Sequence, residues 1–151
     1  MIKINEVYKI PKPVTPLLTV DAVILLNNKI DIVLIRRKNP PFQGQYALPG
    51  GFVDIGETVE NACIREVKEE TNINVKILKL IGVFSDPKRD PRGHTVTVAF
   101  FCEPLTKKEK PKALDDAAEL EIVSLQKLSS LELAFDHMEI IKNSGILDNL
   151  I

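Results

Sequence analysis

No apolar run in this chain approaches the roughly 20 residues that cross a bilayer as a helix, so a membrane-embedded protein is not expected. Charge of one sign is missing too: 20 Lys and Arg stand against 21 Asp and Glu, a net charge of −1. That balance creates no strong field for DNA, RNA or an anionic membrane surface, and no nucleic-acid partner is expected. The opening MIKINEVYKIPKP has no apolar h-region, which makes the cytoplasm the expected location. Cysteine is scarce. Cys63 and Cys102 are far apart in the chain, whereas metal and redox motifs space their thiols closely. Both are read as reduced core thiols. There is no internal repeat, low-complexity tract or linker, and no glycine-rich phosphate loop of the Rossmann or Walker kind follows a strand.

What is present suits one globular domain over residues 1–151, with 44% hydrophobic and 27% charged residues and enough chain for a proper core. Residues 1–16 read as an irregular extension with Pro11, Pro13 and Pro16. LLTVDAVILL (17–26) reads as a buried strand, Asn27-Asn28 as a turn and IDIVLIRRK (30–38) as the second strand of a hairpin. A loop (39–45) leads to YALPGG (46–51), a short strand ending in a Pro-Gly-Gly turn. A helix follows over 58–71, ended by Asn72, a residue able to take the left-handed cap conformation. Strands are expected over 74–84, 95–104 and within 119–128, with the loop SDPKRDPRGH (85–94) and the polar KKEKPK (107–112) between them. Leu131, Ala134, Phe135, Met138 and Ile141 sit at helical spacing, which predicts a second helix over 130–142. Strands, helix, strands, helix, with adjacent hairpins, argue for an α/β (α+β) sandwich on a mixed sheet and not a doubly wound fold.

The predicted first helix has an odd phase. With Val59 at zero, Ala62, Cys63 and Val67 fall at roughly 300°, 40° and 80°, one apolar stripe. Glu66 and Glu70 fall at roughly 340° and 20°, in its middle, and Glu69 at roughly 280°, on its edge. Carboxylates crowded this closely repel each other, and partial burial makes the repulsion worse. Arg65 lies about 40° from Glu69 and is expected to hold one carboxylate, not three. A hard divalent cation would neutralise the rest, and all-oxygen ligation with retained waters suits Mg²⁺ or Mn²⁺. Such sites also draw ligands from substrate phosphates, which implies a phosphate ester or anhydride. Lys68, at roughly 180°, is read as solvated.

Outward from the helix, Gly51 is followed by Glu57, then by Arg65-Glu66, Glu69-Glu70 and Asn72. This pattern resembles the signature of the Nudix hydrolase family, a 23-residue loop–helix–loop, with Asn72 where the family has Gly. The resemblance implies a Nudix-type α/β/α sandwich with a mixed β-sheet and hydrolysis of a nucleoside diphosphate linked to another moiety. It implies that Glu66, Glu69 and Glu70 bind the metal and that the Gly50 carbonyl adds a ligand. Glu57 would join the metal shell or cap the helix start, and Arg65 would orient a glutamate.

Other stretches bear on the substrate. SDPKRDPRGH, VTPLLTVDAVILL and GQYALPGGFVDIGETVE are similar to the ADP-ribose pyrophosphatases of that family, with Tyr46 as the aromatic before ALPGG and Gly51 closing it. Arg89, Arg92 and His94 are candidates to meet a phosphate or ribose hydroxyls. Arg37 is a candidate for the diphosphate, with Arg36 on the opposite face of its strand. Asp115 and Asp116 are candidates for the general base or a further metal contact, and Glu119 is the next. His137 is read as structural. The leading expectation is Mg²⁺- or Mn²⁺-dependent hydrolysis of ADP-ribose to AMP and ribose 5-phosphate. The alternatives are a Nudix hydrolase of nucleotide triphosphates or dinucleoside polyphosphates, and a non-catalytic nucleotide sensor. The last is disfavoured by the intact glutamates and by the short stretch after residue 142. A homodimer is expected from the habit of the family's members.

Overall fold

The structure is a computed structural model in which residues 14–113, 119–148 and 150 are described. Its centre is β1 (Leu17–Leu26), which pairs parallel with β6 (Thr95–Pro104) and antiparallel with both β2 (Asp31–Arg36) and β4 (Gly50–Phe52). β2 pairs antiparallel with β3 (Tyr46–Ala47) and β7 (Glu119–Ser124), and β5 (Val75–Phe84) flanks β6. The sheet is therefore mixed, with seven strands among the described residues. The expected hairpin is present. Asn27, Asn28 and Lys29 turn between its strands at φ 53°, 60° and 67°.

Strand alternation makes two cores. Val20, Ala22 and Ile24 of β1 face the helix α1 (Val59–Thr71), where Cys63 and Val67 meet them. Val23 and Leu25 face the other way, toward Leu128 of a 3₁₀ helix (Leu125–Ser130) and Ile140 and Ile141 of α2 (His137–Ser144). Full burial of each such side chain stabilises by about 1.5–3 kcal/mol. The outcome is the expected mixed-sheet α/β/α sandwich. Cys63 and Cys102, remote in sequence, meet across the first core as free thiols with Sγ atoms 3.8 Å apart. Among the described residues, no helix is long and apolar enough to cross a membrane.

Two expectations need correction. The helix predicted over 130–142 is a 3₁₀ turn, an irregular stretch and then a short α-helix from His137. The break comes where Ala134 N–H donates to the Tyr46 carbonyl and Phe135 takes φ 53°, so the segment runs beside β3 instead of coiling. Of the apolar residues at helical spacing, Ala134 and Ile141 are buried and Leu131, Phe135 and Met138 partly so, shared between two clusters. The Pro-Gly-Gly stretch is likewise not a free turn. Gly50 and Gly51 begin β4, opposite Asp21 and Val20.

Asn72 ends α1 at φ 63°, with its N–H on the Lys68 carbonyl. A left-handed residue with a Cβ costs roughly 1–2 kcal/mol unless it is Gly or a short polar side chain such as Asn. Asn72→Ala is therefore expected to destabilise the protein by about 1–2 kcal/mol, and Asn72→Gly by no more than a few tenths. Urea unfolding midpoints of the two variants check this, and equal losses in both would contradict it.

Candidate active site

Helix α1 is held in register at both ends. Thr58, in extended backbone, accepts the Asn61 N–H at the start, so the cap is Thr58 and not Glu57. Ala62, Cys63, Val67 and Thr71 are buried against the sheet. That phase turns Glu66 and Glu70 toward β4. The Gly50 N–H donates to Glu70 Oε1 at 3.0 Å. A Cβ at Gly51 would stand 2.6 Å from Glu66 Oε2, and one at Gly50 would stand 2.6 Å from Asp21 Oδ1 and strike the Val20 carbonyl. Both glycines are needed because helix, strand and carboxylates approach so closely here.

Arg65 does more than the sequence reading allowed. Its Nε and one terminal nitrogen hold Glu57 in a two-pronged pair at 3.1 and 2.6 Å. The other terminal nitrogen reaches Glu66 at 2.9 Å and Glu69 at 3.2 Å. The same fork donates to the Phe52 carbonyl at 3.0 Å. The expectation that Arg65 holds a single carboxylate is corrected to three, because a guanidinium offers five N–H donors in a fixed plane. Glu57 also accepts the Asp54 N–H at 2.8 Å, which stiffens the loop before the helix.

Glu70 lies outside that clamp. Burial pushes its carboxyl up to about 8; the Gly50 N–H works against the rise, and the charges of Glu66 and Asp21 add to it. Glu66 is raised too, first by burial, with Arg65 opposing. Glu57 is lowered, chiefly by its bonds to Arg65. Among the described residues, no three or more His, Cys, Asp or Glu side chains converge as a ready metal cluster. The donors nevertheless fit a hard divalent cation in chemistry. Glu66, Glu69, Glu70 and the Gly50 carbonyl are all oxygens, and Glu70 is a crowded, buried carboxylate with one N–H partner and too little positive charge beside it.

Beside these groups opens a cleft of 220 Å³. Gly50, Gly51 and Phe52 of β4 line it together with Glu70, and so do Arg37, Arg92 and Phe135. Arg37 lies over the Phe135 ring at 4.9 Å and donates to the Pro41 carbonyl. Arg92 lies near both Phe52 and Phe135, at 6.0 and 5.7 Å, and is paired with Asp90. His94 lines an adjoining cleft of 490 Å³ with Arg92, its Nε2 3.1 Å from the Ser85 carbonyl.

Other candidates stand elsewhere. Arg89 lines the cleft, but its side chain is only 4% exposed; it pairs in two-pronged fashion with Asp136 at 2.6 and 2.9 Å and bonds Thr95. Tyr46 faces away, under Arg36, which donates to its hydroxyl. Glu119 lies on β7 opposite Arg36. Asp115 and Asp116 fall outside the described residues. Asp21, Phe52 and Phe135 line the cleft without having been singled out. A lone Asp inside the apolar run LLTVDAVILL was the available signal for the first. His137, read as structural, is buried at the cleft floor beside Asp21.

The family comparison matches residues 15–143 to the NUDIX domain, and the chain belongs to that family. It is 47% identical over 143 residues to an ADP-ribose pyrophosphatase of Methanocaldococcus jannaschii, covering 95% of this chain and 81% of that protein. Among solved structures, the NUDIX domain of Shewanella oneidensis NrtR complexed with ADP ribose matches with a TM-score of 0.81 at 26% identity, over 95% of this chain and 97% of that one. A bifunctional NMN adenylyltransferase/ADP ribose pyrophosphatase of Francisella tularensis, complexed with AMP and a Mn ion, matches with a TM-score of 0.73 at 32% identity. The match covers 91% of this chain but 43% of that protein, so the chain spans less than half its length. The family resemblance and the fold expected from it are both borne out.

Glu70 gives a signed pH prediction. Its folded value, about 8, lies above the ordinary 4.5. Its contribution to stability is therefore full below 4.5 and is lost as pH rises through about 8. In EDTA, the melting temperature of the wild type should fall relative to Glu70→Gln across that window, whereas parallel curves would contradict the assignment. Arg89 gives a second prediction. Arg89→Met should destabilise by about 3 kcal/mol, because the mostly covered Asp136 loses its two-pronged partner. Unchanged stability with a raised KM would instead make Arg89 a substrate contact.

Proposed function

We propose that the chain is a divalent-metal-dependent Nudix hydrolase that cleaves the diphosphate of ADP-ribose, with water, to AMP and ribose 5-phosphate. The observation that carries the substrate is the 47% identity to an ADP-ribose pyrophosphatase over 95% of the chain. The geometry supports the chemistry. Glu66, Glu69, Glu70 and the Gly50 carbonyl are the groups that would hold Mg²⁺ or Mn²⁺. When bound, the metal would polarise a phosphoryl oxygen and lower the pKa of the attacking water.

The chain's own residues do the rest. Arg65 fixes the rotamers of Glu66 and Glu69 through its fork. The Gly50 N–H fixes Glu70. Arg37 and Arg92 bring positive charge to the same cleft as Glu70, where they can meet the diphosphate. Phe52 and Phe135 add apolar lining to the cleft, with Arg37 already over the Phe135 ring, and could pack beside a base or ribose. Glu69, half exposed, is the most open of the three glutamates and is the first candidate to take a proton from the attacking water, with Asp115 and Asp116 as the other candidates for that step. With this reading go a cytoplasmic location, a nucleotide as the partner and a second copy of the chain as the assembly.

A nucleotide sensor is the second reading, because the fold also matches the ADP-ribose-bound domain of NrtR. Incubation with ADP-ribose and Mg²⁺ or Mn²⁺ separates the two. AMP and ribose 5-phosphate should appear, and Glu69→Gln and Glu70→Gln should each lower kcat by at least about 100-fold, the scale of losing a preorganised charge at a reacting centre. Tight binding of ADP-ribose without AMP would establish the sensor. Cleavage of another nucleotide in its place would move the substrate but keep the chemistry.

A further inference from the structure

Beneath the Leu48–Pro49–Gly50 turn lies a buried polar pair that the catalytic reading does not use. Leu48 is 2% exposed, so its backbone N–H must find an acceptor inside the protein. One residue pair earlier, the partner is backbone: the segment from Leu133 runs beside β3, and the Ala134 N–H donates to the Tyr46 carbonyl at 2.8 Å. Phe135 then turns the chain away at φ 53°. The imidazole of His137 replaces the missing carbonyl, and its Nδ1 accepts the Leu48 N–H at 2.9 Å.

That bond fixes the tautomer. A neutral imidazole carries one donor and one acceptor nitrogen, so an accepting Nδ1 leaves the proton on Nε2. Nε2 faces Asp21 Oδ1 at 3.4 Å. Asp21 Oδ2 accepts the Thr97 hydroxyl at 2.6 Å. A Cβ on Gly50 would stand 2.6 Å from Asp21 Oδ1 as well as striking the Val20 carbonyl, so the carboxylate lies against Gly50. The Arg89–Asp136 pair holds the start of α2, one residue before His137.

Each residue of the turn is therefore held separately. Leu48 is held by His137, Pro49 through its carbonyl by the Ala22 N–H at 2.9 Å, and Gly50 through its N–H by Glu70. We propose that His137 and Asp21 are positioning residues for the candidate metal site, setting where the Gly50 carbonyl and the Gly50 N–H that holds Glu70 stand. The inference rests on the metal-site reading above. It goes beyond it by making α2 and β1, remote from the signature helix in sequence, part of the site's support.

Side-chain shape supplies the test. The Oδ1 of Asn can stand where Nδ1 stood, whereas the amide of Gln reaches only the Nε2 position. Three measurements are compared across His137→Ala, His137→Asn, His137→Gln and Asp21→Asn: hydrogen exchange of the Leu48 amide, Mn²⁺ binding by calorimetry without substrate, and kcat against KM. His137→Ala should expose the Leu48 amide to exchange and weaken Mn²⁺ binding about 10–100-fold, the usual cost of losing a group behind a metal ligand. Its kcat should fall on the same scale with KM little changed. His137→Asn should restore most of each and His137→Gln none. Asp21→Asn, nearly identical in volume, should weaken Mn²⁺ binding while leaving Leu48 protected, and it serves should the His137 variants fail to fold.

Wild-type Mn²⁺ affinity in both folded His137→Ala and Asp21→Asn overturns the proposal, as does a His137→Asn no better than His137→Gln. A wild-type protein that binds no Mn²⁺ sinks the metal reading and this inference together. Failure to cleave ADP-ribose, with Mn²⁺ still bound, touches only the substrate.

Discussion

Carboxylates turned toward a sheet, where water is scarce, repel one another unless each is given a donor or a cation. The arrangement around α1 follows from that constraint. Thr58 and Asn72 set where the helix begins and ends, and Ala62, Cys63 and Val67 set its rotation against β1. A rotation by a single residue, about 100°, would carry Glu66 off Gly51 and Glu70 off the Gly50 N–H. The apolar stripe is thus what aims the acidic groups, and the missing side chains at Gly50 and Gly51 are what let the strand come close enough to receive them.

Two kinds of support divide the acidic groups. Arg65 gathers Glu57, Glu66 and Glu69 on the outer side, where a fork of N–H donors can serve several acceptors at once. Glu70, deeper, has a backbone donor instead, and its carboxyl is pushed up accordingly. Perturbed carboxylates beside a cleft are a functional signature, because a purely structural fold would gain by replacing them. The same reasoning distinguishes Arg89, whose buried charge is spent on Asp136, from Arg37, which lies over the Phe135 ring, and from Arg92, which is paired with Asp90 but remains half exposed at the cleft.

Legibility in the sequence tracked distance along the chain. The phase of α1, its cap at Asn72 and the Asn27-Asn28 hairpin are local patterns, and a period or a turn residue reveals them. The reach of Arg65 was misjudged because a helical plot shows angles on one helix, and Glu57 lies before it in a loop. The segment 131–136 misled for a different reason. Apolar residues three or four apart suit a helix, but they equally suit an irregular strap buried beside β3, and only the contact with Tyr46 decides between them. Arg89 with Asp136 and Asp21 with His137 are pairs across 47 and 116 positions of sequence, and no spacing rule joins such residues.

That division also orders the function. The groups that would bind metal lie within residues 50–70, a stretch short enough to read as a motif. Arg37, Arg92 and Phe135, which line the same cleft, come from the end of β2, the loop after β5 and the turn before α2, three places brought together only by folding. Its arginines stack on rigid rings, which keeps their charge at fixed positions with little side-chain freedom left to lose on binding. On the function proposed above, the arginines would meet an anionic centre, and the ring surface they leave open would meet the groups that flank it. On that same proposed function, discrimination among nucleotides would fall to Phe52, Phe135, Arg37 and Arg92 and the bond-breaking step to the helix, because the cleft lining and the signature helix are separate parts of the chain.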